Sequence, residues 1–309
     1  MSKNASAINS ERVLVTGASG YIGTNLCRKL VSLGAPLCAI SRRKPPLDEK
    51  GFKFVAADLT NYESIHKVMT DFRPNVVFHL AGLAAGGRDA DLVLPNFHSN
   101  LTTTVNVLLA ASETNVRRII LAGSLEEPDG GAGQIIPSSP YAAAKWAASA
   151  YGRMFHRLYA TPVVILRVFM TYGPGRQSPK KLIPWVVTSL LEGKAPELGS
   201  GERQIDWVFM DDVVEGMISA ATAPGVEGDT IDIGTGKLTS IRTLVEKLVS
   251  IINPEIKPRF GALSERVLEQ VRVADVEMTH TKIAWRPKIT LEKGLEETVK
   301  WFRIGAIPT

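Results

Sequence analysis

One stretch near the start constrains the fold of this chain most: Val13-Leu14-Val15-Thr16-Gly17-Ala18-Ser19-Gly20-Tyr21-Ile22-Gly23. Its apolar, β-branched opening reads as a buried strand, and a helical pattern begins inside the turn that follows. Glycines at 17, 20 and 23 let the backbone turn tightly, approach a ligand closely and seat a helix on the strand. A strand that feeds straight into a helix returns parallel to itself by a right-handed crossover, so a doubly wound parallel sheet is expected.

The first half repeats that unit. Arg12–Thr16, Pro36–Ser41, Phe52–Ala56, Asn75–Leu80, Arg117–Ala122 and Pro162–Val168 read as strands; Tyr21–Leu33, Tyr62–Phe72, Val93–Thr114 and Tyr141–Tyr159 read as helices. The fold class is therefore α/β, with a Rossmann-like doubly wound sheet. After Gly173-Pro174-Gly175 the spacing loosens. Helices are expected over Leu182–Glu192, Asp212–Thr222, Ser240–Ile252 and Leu291–Phe302, short strands over Ile205–Phe209 and Thr230–Ile233, and Asp211 and Asp212 suit a helix N-cap. The expected division is a dinucleotide-binding domain over 1–172 and a smaller C-terminal α/β substrate domain over 173–309, with 205–235 returning in part to the main sheet.

With 309 residues, 45% of them hydrophobic, the chain can bury one large or two coupled cores without a staple. The first ten residues lack the apolar core of a signal peptide, and no stretch offers about 18 uninterrupted apolar residues. A cytoplasmic protein without a membrane partner is expected. The formal net charge of +5 tolerates anionic ligands, but the basic residues are scattered, which argues against nucleic acid. Cys27 and Cys38 read as two buried thiols. The 5 histidines show no metal-ligand spacing, so no metal site is expected, and His79 reads as a satisfied core histidine.

Gly17, Ser19, Gly20, Tyr21 and Ile22 form the turn at which helix N–H groups would hold a pyrophosphate. Asp58, followed by Leu59, is placed to accept from an adenine amino group, or else to cap its own loop. Leu80, Ala81 and Gly82 close the fourth strand; Asn100 is expected to bond backbone near the nicotinamide, or to cap a helix. The second strand ends in Ile40-Ser41-Arg42-Arg43-Lys44, with no acid for the ribose hydroxyls of NAD. Ser41 with Arg42 or Arg43 suits a 2′-phosphate, so NADP(H) is favoured over NAD(H); solvated surface charge is the plain alternative.

Tyr141-Ala142-Ala143-Ala144-Lys145 supplies the chemistry. A spacing of four puts both side chains on one helix face, where an ammonium can favour the phenolate of a tyrosine that is a poor base on its own. Tyr141 would then exchange a proton with a substrate hydroxyl, Ser124 would hydrogen-bond the same oxygen, and Lys145 would hold the nicotinamide ribose. A ring packed on a lysine stem would show the same spacing.

Together these stretches resemble the extended short-chain dehydrogenase/reductases, the group called NAD-dependent epimerase/dehydratases, which act mainly on nucleotide sugars. Leu166-Arg167-Val168-Phe169, Tyr172-Gly173-Pro174-Gly175, Leu182-Ile183-Pro184, Gly199-Ser200-Gly201, Met210-Asp211-Asp212-Val213, Arg272-Val273-Ala274-Asp275 and Trp285-Arg286-Pro287 extend the likeness along nearly the whole chain. The resemblance implies that Ser124, Tyr141 and Lys145 are the catalytic triad, that Arg272, Glu126 and the residue at Met170 face substrate, and that a small-molecule nucleotide sugar is the partner.

Departures narrow this. Leu125 stands where family dehydratases carry an acid, which disfavours loss of water; Gly123-Ser124-Leu125-Glu126-Glu127 is more like ketoreductases that reduce 4-keto-6-deoxy sugar nucleotides. Such a reductase is the first expectation, a sugar-nucleotide 4-epimerase holding NAD the second, and a non-catalytic NAD(P)-sensing module the third. Met170 replaces an Asn and Ile205 an Arg that in the family help hold the substrate diphosphate; Arg203, Arg176, Lys180 and Lys181 are the nearby cations. Glu126-Glu127-Pro128-Asp129-Gly130-Gly131 reads as an acidic, mobile rim. The small residues around Tyr141-Ala142-Ala143-Ala144-Lys145-Trp146-Ala147-Ala148 let a second helix approach, so a homodimer is expected.

Overall fold

The computed structural model describes residues 7–47, 51–128, 135–264 and 268–305. Strands β1 (Val13–Thr16), β2 (Leu37–Ser41), β3 (Phe52–Ala56), β4 (Val76–His79), β5 (Arg118–Ser124), β6 (Val163–Val168) and β9 (Thr230–Ile233) form a 7-stranded sheet in the order β3-β2-β1-β4-β5-β6-β9. Every neighbouring pair is parallel. β1 and β4 are buried on both faces, which is why they read as unbroken apolar runs and not as alternations.

Helices cover both faces. Leu26 of α1 (Tyr21–Ser32) and Met217 of α7 (Met210–Thr222) lie in one core; Ile65 of α2 (Tyr62–Phe72), Val107 of α4 (Thr103–Ser112) and Phe155 of α5 (Pro140–Tyr159) lie in the other. β1 and β4 are neighbours although strands 2 and 3 lie on the far side of β1, so the order reverses between them. In such sheets the crevice at the carboxyl ends of the strands, at that reversal, is where ligands bind.

A second sheet, in the order β10-β8-β7, joins β7 (Met170–Tyr172), β8 (Gln204–Phe209) and β10 (Leu238–Ser240). It carries a third core with α6 (Leu182–Leu191), α8 (Ile241–Ile252) and α10 (Leu291–Arg303), filled by Ile183, Val186, Trp207, Leu244 and Leu295. β9 pairs with β6 in the main sheet, with Leu166 opposite Ile231. The crossing between sheets is pinned at Gly173 and Gly175, both at positive φ; Tyr21 donates its hydroxyl to Gly173 O at 2.7 Å. A Cβ on Gly175 would lie 3.1 Å from the Tyr21 ring.

Several expectations change. β7, β10 and α9 (Val276–Ile283) are elements the sequence pattern does not announce. The helix expected over Val93–Thr114 is interrupted: α3 (Val93–Asn96) passes into a π-helical turn, Phe97–Thr102, before α4. Hydroxyls explain the break, since Thr103 and Thr104 donate to Ser99 O and Asn100 O at 2.7 and 2.6 Å. Asp211 and Asp212 are not N-caps, because Phe209 holds that position; the Asp212 carboxylate accepts the Lys288 and Ile289 N–H groups, tying α7 to the chain before α10.

Candidate active site

The turn after β1 fits a dinucleotide pyrophosphate. The N-cap of α1 is Gly20, which offers no side-chain cap, and the first turn carries no acid, so the leading N–H groups are left to an anion. Gly17 sits at φ +66, and a Cβ there would lie 2.6 Å from Ala81 N, so glycine brings this turn against the loop after β4. Ser19 and Gly20 are exposed, and Tyr21 and Ile22 half-buried.

Behind that turn runs a buried hydrogen-bonded chain. Thr104 gives its hydroxyl proton to Asn100 O, so His79 Nε2 must donate to Thr104 (3.0 Å), leaving Nδ1 to accept from Thr16 Oγ1 (2.8 Å). Thr16 in turn accepts the Leu80 and Ala81 N–H groups. His79 is thereby fixed as the neutral imidazole; burial, with Lys145 adding to it, pushes its pKa down to about 3. The satisfied core histidine is what the structure holds, and it joins β1, β4 and α4.

Asn100 lies inside the π-helical turn and not at a helix start. Its amide accepts from Leu83 N and donates to Leu83 O, both at 3.2 Å, and also donates to Asn96 at 3.0 Å. It clamps the loop after β4. Gly82 leaves room for it: a Cβ there would lie 2.4 Å from Asn100 Oδ1 and 3.8 Å from Lys145 Nζ.

Ser124 is the last residue of β5, and Tyr141 and Lys145 stand one turn apart in α5, whose start is set by Ser139 accepting the Ala142 N–H (3.2 Å) and by Pro140 in the first turn. The Ser124 side chain acts on the Tyr141 phenol and lowers its pKa. Lys145 is buried and donates to Ala122 O at 2.8 Å. The electrostatics differ from expectation. Burial pushes the Tyr141 phenol up to about 12, against the effect of Ser124, while Glu127 and Glu126 raise it further; burial also pulls Lys145 down to about 8. In the protein alone the phenol keeps its proton, because desolvation outweighs the acidifying effect expected of the neighbouring ammonium.

A match to the NAD dependent epimerase/dehydratase family spans residues 13–234. The chain belongs to this family. It is 30% identical to a UDP-glucose 4-epimerase of Mycolicibacterium smegmatis, covering 94% of this chain and 98% of that one. Among solved structures, a UDP-glucose 4-epimerase from Thermotoga maritima, with UDP-glucose, superposes with TM-score 0.85 at 25% identity, covering 95% and 99% of the two chains. A UDP-glucuronic acid 4-epimerase from Bacillus cereus, in complex with UDP-glucuronic acid and NAD, superposes with TM-score 0.84 at 26% identity, covering 94% and 99%. Members of this extended short-chain dehydrogenase/reductase family are enzymes, and the fold here is theirs.

Other family positions lie as follows. Arg272 reaches Leu125 O at 3.4 Å, beside the end of β5. Glu126 donates its N–H to Ser124 Oγ (3.2 Å), and its carboxylate pairs with Arg203 (3.0 Å), which also pairs with Glu269. Arg203 is thus engaged by two carboxylates. Met170 packs against both the main core and the third core, and Ile205, 4% exposed, is a core residue of the second sheet. Leu125 is buried in the main core, so this position presents no acid to a substrate. Asp58, with Leu59 buried beside it, accepts from Thr60 N and Oγ1 at 3.0 and 2.9 Å, which is the loop-capping role, and Arg42 also lowers its pKa. Ser41 donates its hydroxyl to Arg43 O at 2.5 Å; Arg42 and Arg43 are exposed.

The acidic rim needs correction. Asp129, Gly130 and Gly131 lie outside the described residues, but Glu127 is 6% exposed and faces inward. Its charge made it read as solvated; only its spacing of three from Ser124, at a strand end, hinted otherwise. Cys27 and Cys38 are buried free thiols. Among the described residues no cluster could hold a metal ion and no helix is long and apolar enough to cross a membrane.

Proposed function

We propose that this chain is an oxidoreductase acting at the C4 carbinol of a nucleotide sugar, and that the reaction is 4-epimerisation with retained NAD. One observation carries the reading: Ser124, Tyr141 and Lys145 converge at the carboxyl end of β5, across from an uncapped helix N-terminus, in a chain similar end to end to 4-epimerases. A bound nicotinamide supplies the hydride exchange. With the positive nicotinamide ring and the Lys145 ammonium both favouring its phenolate, Tyr141 would take the C4 hydroxyl proton as the hydride leaves and give it back to the carbonyl oxygen when the hydride returns; Ser124 steadies that oxygen, and Lys145 sits one turn further with its ammonium held by Ala122 O. The buried Leu125 leaves dehydration without its acid. A sensing module has no use for a serine, a tyrosine and a lysine gathered in this way.

Reduction of a 4-keto sugar nucleotide with NADPH is the second reading. It is favoured by the lack of an acid after β2, where Arg42 stands near Asp58. The same surface logic favours a homodimer: Val93, Leu94, Phe97, Tyr151, Leu158 and Tyr159 expose apolar side chains on α3, the π-helical turn and α5. A solution mass equal to one chain would end that part.

Cofactor stoichiometry separates the two reactions. Purified protein, offered a panel of 4-hydroxy and 4-keto sugar nucleotides, is expected to carry NAD and interconvert epimers without added reductant. Consumption of one NADPH per ketone reduced would replace the epimerase with the reductase.

A further inference from the structure

Residues 269–275, which lead into α9, have no regular secondary structure, so what holds them must come from other parts of the chain. At one end the Ala274 and Asp275 N–H groups donate to Asp206 and Asp232, both at 3.1 Å. Both carboxylates are buried, and Asp206 is itself fixed by Thr235 and Gly236. At the other end the holder is a side chain, Arg203, placed just before β8: it donates to Gln270 O at 3.1 Å and pairs with Glu269. Between the two ends Val271 and Val273 turn outward, 58% and 48% exposed, while Arg272 reaches Leu125 O at 3.4 Å. The stretch is a strap drawn across the end of β5 and pinned at both ends.

The same guanidinium also reaches the turn that carries Ser124. Nη2 of Arg203, already bonded to Gln270 O, gives its other N–H to the Glu126 carboxylate at 3.0 Å, and Nη1 meets Glu269. Glu126 in turn donates its N–H to Ser124 Oγ at 3.2 Å. A hydroxyl oxygen that accepts there keeps its own proton for a second oxygen, such as that of a substrate carbonyl. A surface ion pair joins two side chains and contributes little. Here the three side chains are 15–19% exposed, and one planar fork spans segments 77 and 67 residues away from it in sequence.

We infer that Arg203 is a positioning residue of the active site: one guanidinium sets the Ser124 hydroxyl through Glu126 and holds the strap through Glu269 and Gln270, so that losing it releases both. Its consequence for turnover rests on the oxidoreductase reading above; the clasp itself does not.

Trypsin acting on the folded protein reads the strap without any activity, through cleavage after Arg272 and the appearance of the fragment that begins at Val273, identified by mass. Arg203→Gln and Glu269→Ala are expected to speed that cleavage about tenfold, and Glu126→Ala to leave it within about twofold. A general loosening of the fold would speed it in all three. With the sugar nucleotide selected from the panel, Glu126→Ala is expected to lower kcat about tenfold, Glu269→Ala to raise KM with kcat within about threefold, and Arg203→Gln to do both. Adding Glu126→Ala to Arg203→Gln should then cost no further kcat.

Cleavage of Arg203→Gln at the wild-type rate overturns the proposal whatever the activity, as does a kcat loss in the double variant equal to the product of the two single losses. The glutamate variants test it even where Arg203→Gln does not fold: a kcat loss in Glu269→Ala as large as in Glu126→Ala contradicts the division of the fork. If cleavage behaves as stated while Tyr141→Phe leaves turnover intact, the clasp stands and the oxidoreductase reading falls.

Discussion

The carboxyl edge of the main sheet and the small second sheet present opposite kinds of surface. At the first, polar groups are buried and bonded: His79 on both ring nitrogens, Asn100 to both polar groups of Leu83, Lys145 to Ala122, Glu127 to Ser124. At the second, Met170 and Ile205 pack as apolar filler, and the cation beside them, Arg203, is spent on Glu126 and Glu269. The two sheets differ in how they treat polar groups, burying and bonding them at one and replacing them with apolar packing at the other. On the function proposed above, buried, bonded groups would hold the geometry of the reaction, whereas apolar packing at Met170 and Ile205 would leave the substrate to be recognised by other side chains.

Four experiments sharpen or break that contrast. Tyr141→Phe removes one hydroxyl and is expected to cost about 10³-fold in kcat with cofactor affinity within about threefold of wild type. An equal loss of affinity would mean that Tyr141 builds the cofactor site instead of the chemistry. Ile205→Ala is expected to do the reverse, lowering unfolding free energy by about 3 kcal/mol in denaturant titration while kcat stays near wild type. A collapse of kcat in folded protein would bring the second sheet into the reaction.

Gly17→Val places a Cβ against Ala81 N at a positive φ, so cofactor binding by fluorescence titration is expected to weaken by about 10²-fold. His79 gives the smallest effect and the clearest sign. Its folded pKa of about 3 lies below the ordinary histidine value, so the unfolded chain takes up a proton that the folded one refuses. Stability from this group is complete above pH 6.5 and falls as pH drops toward 3; about 2 kcal/mol is lost by pH 5. His79→Gln should flatten that part of the Tm against pH curve, and an unchanged slope would place the acid sensitivity elsewhere.

What could be read from sequence follows the same line. The main sheet was legible because β1, β4 and β5 are buried apolar runs and because the turn after β1 admits only glycine at position 17. Tyr141 and Lys145 were legible by spacing. β7 was not, since three residues with a threonine between Met170 and Tyr172 carry no period, nor was the π-helical turn, which depends on where two threonine hydroxyls point. The inward turn of Glu127 was hidden for a further reason. Charge predicts solvent, and only the bare Gly123, Lys145 and Arg167 around it reverse that expectation. Likewise the serine and arginines after β2 suggested a 2′-phosphate, and nothing in their spacing announced that Ser41 bonds to its own loop.

The central claim is that hydride, not a proton, leaves a carbinol carbon opposite Tyr141. It is tested most directly with the sugar nucleotide selected from the panel, deuterated at C4. A slowed reaction with the label kept at C4 of the product is expected; washout of deuterium into water would instead mean that a proton leaves.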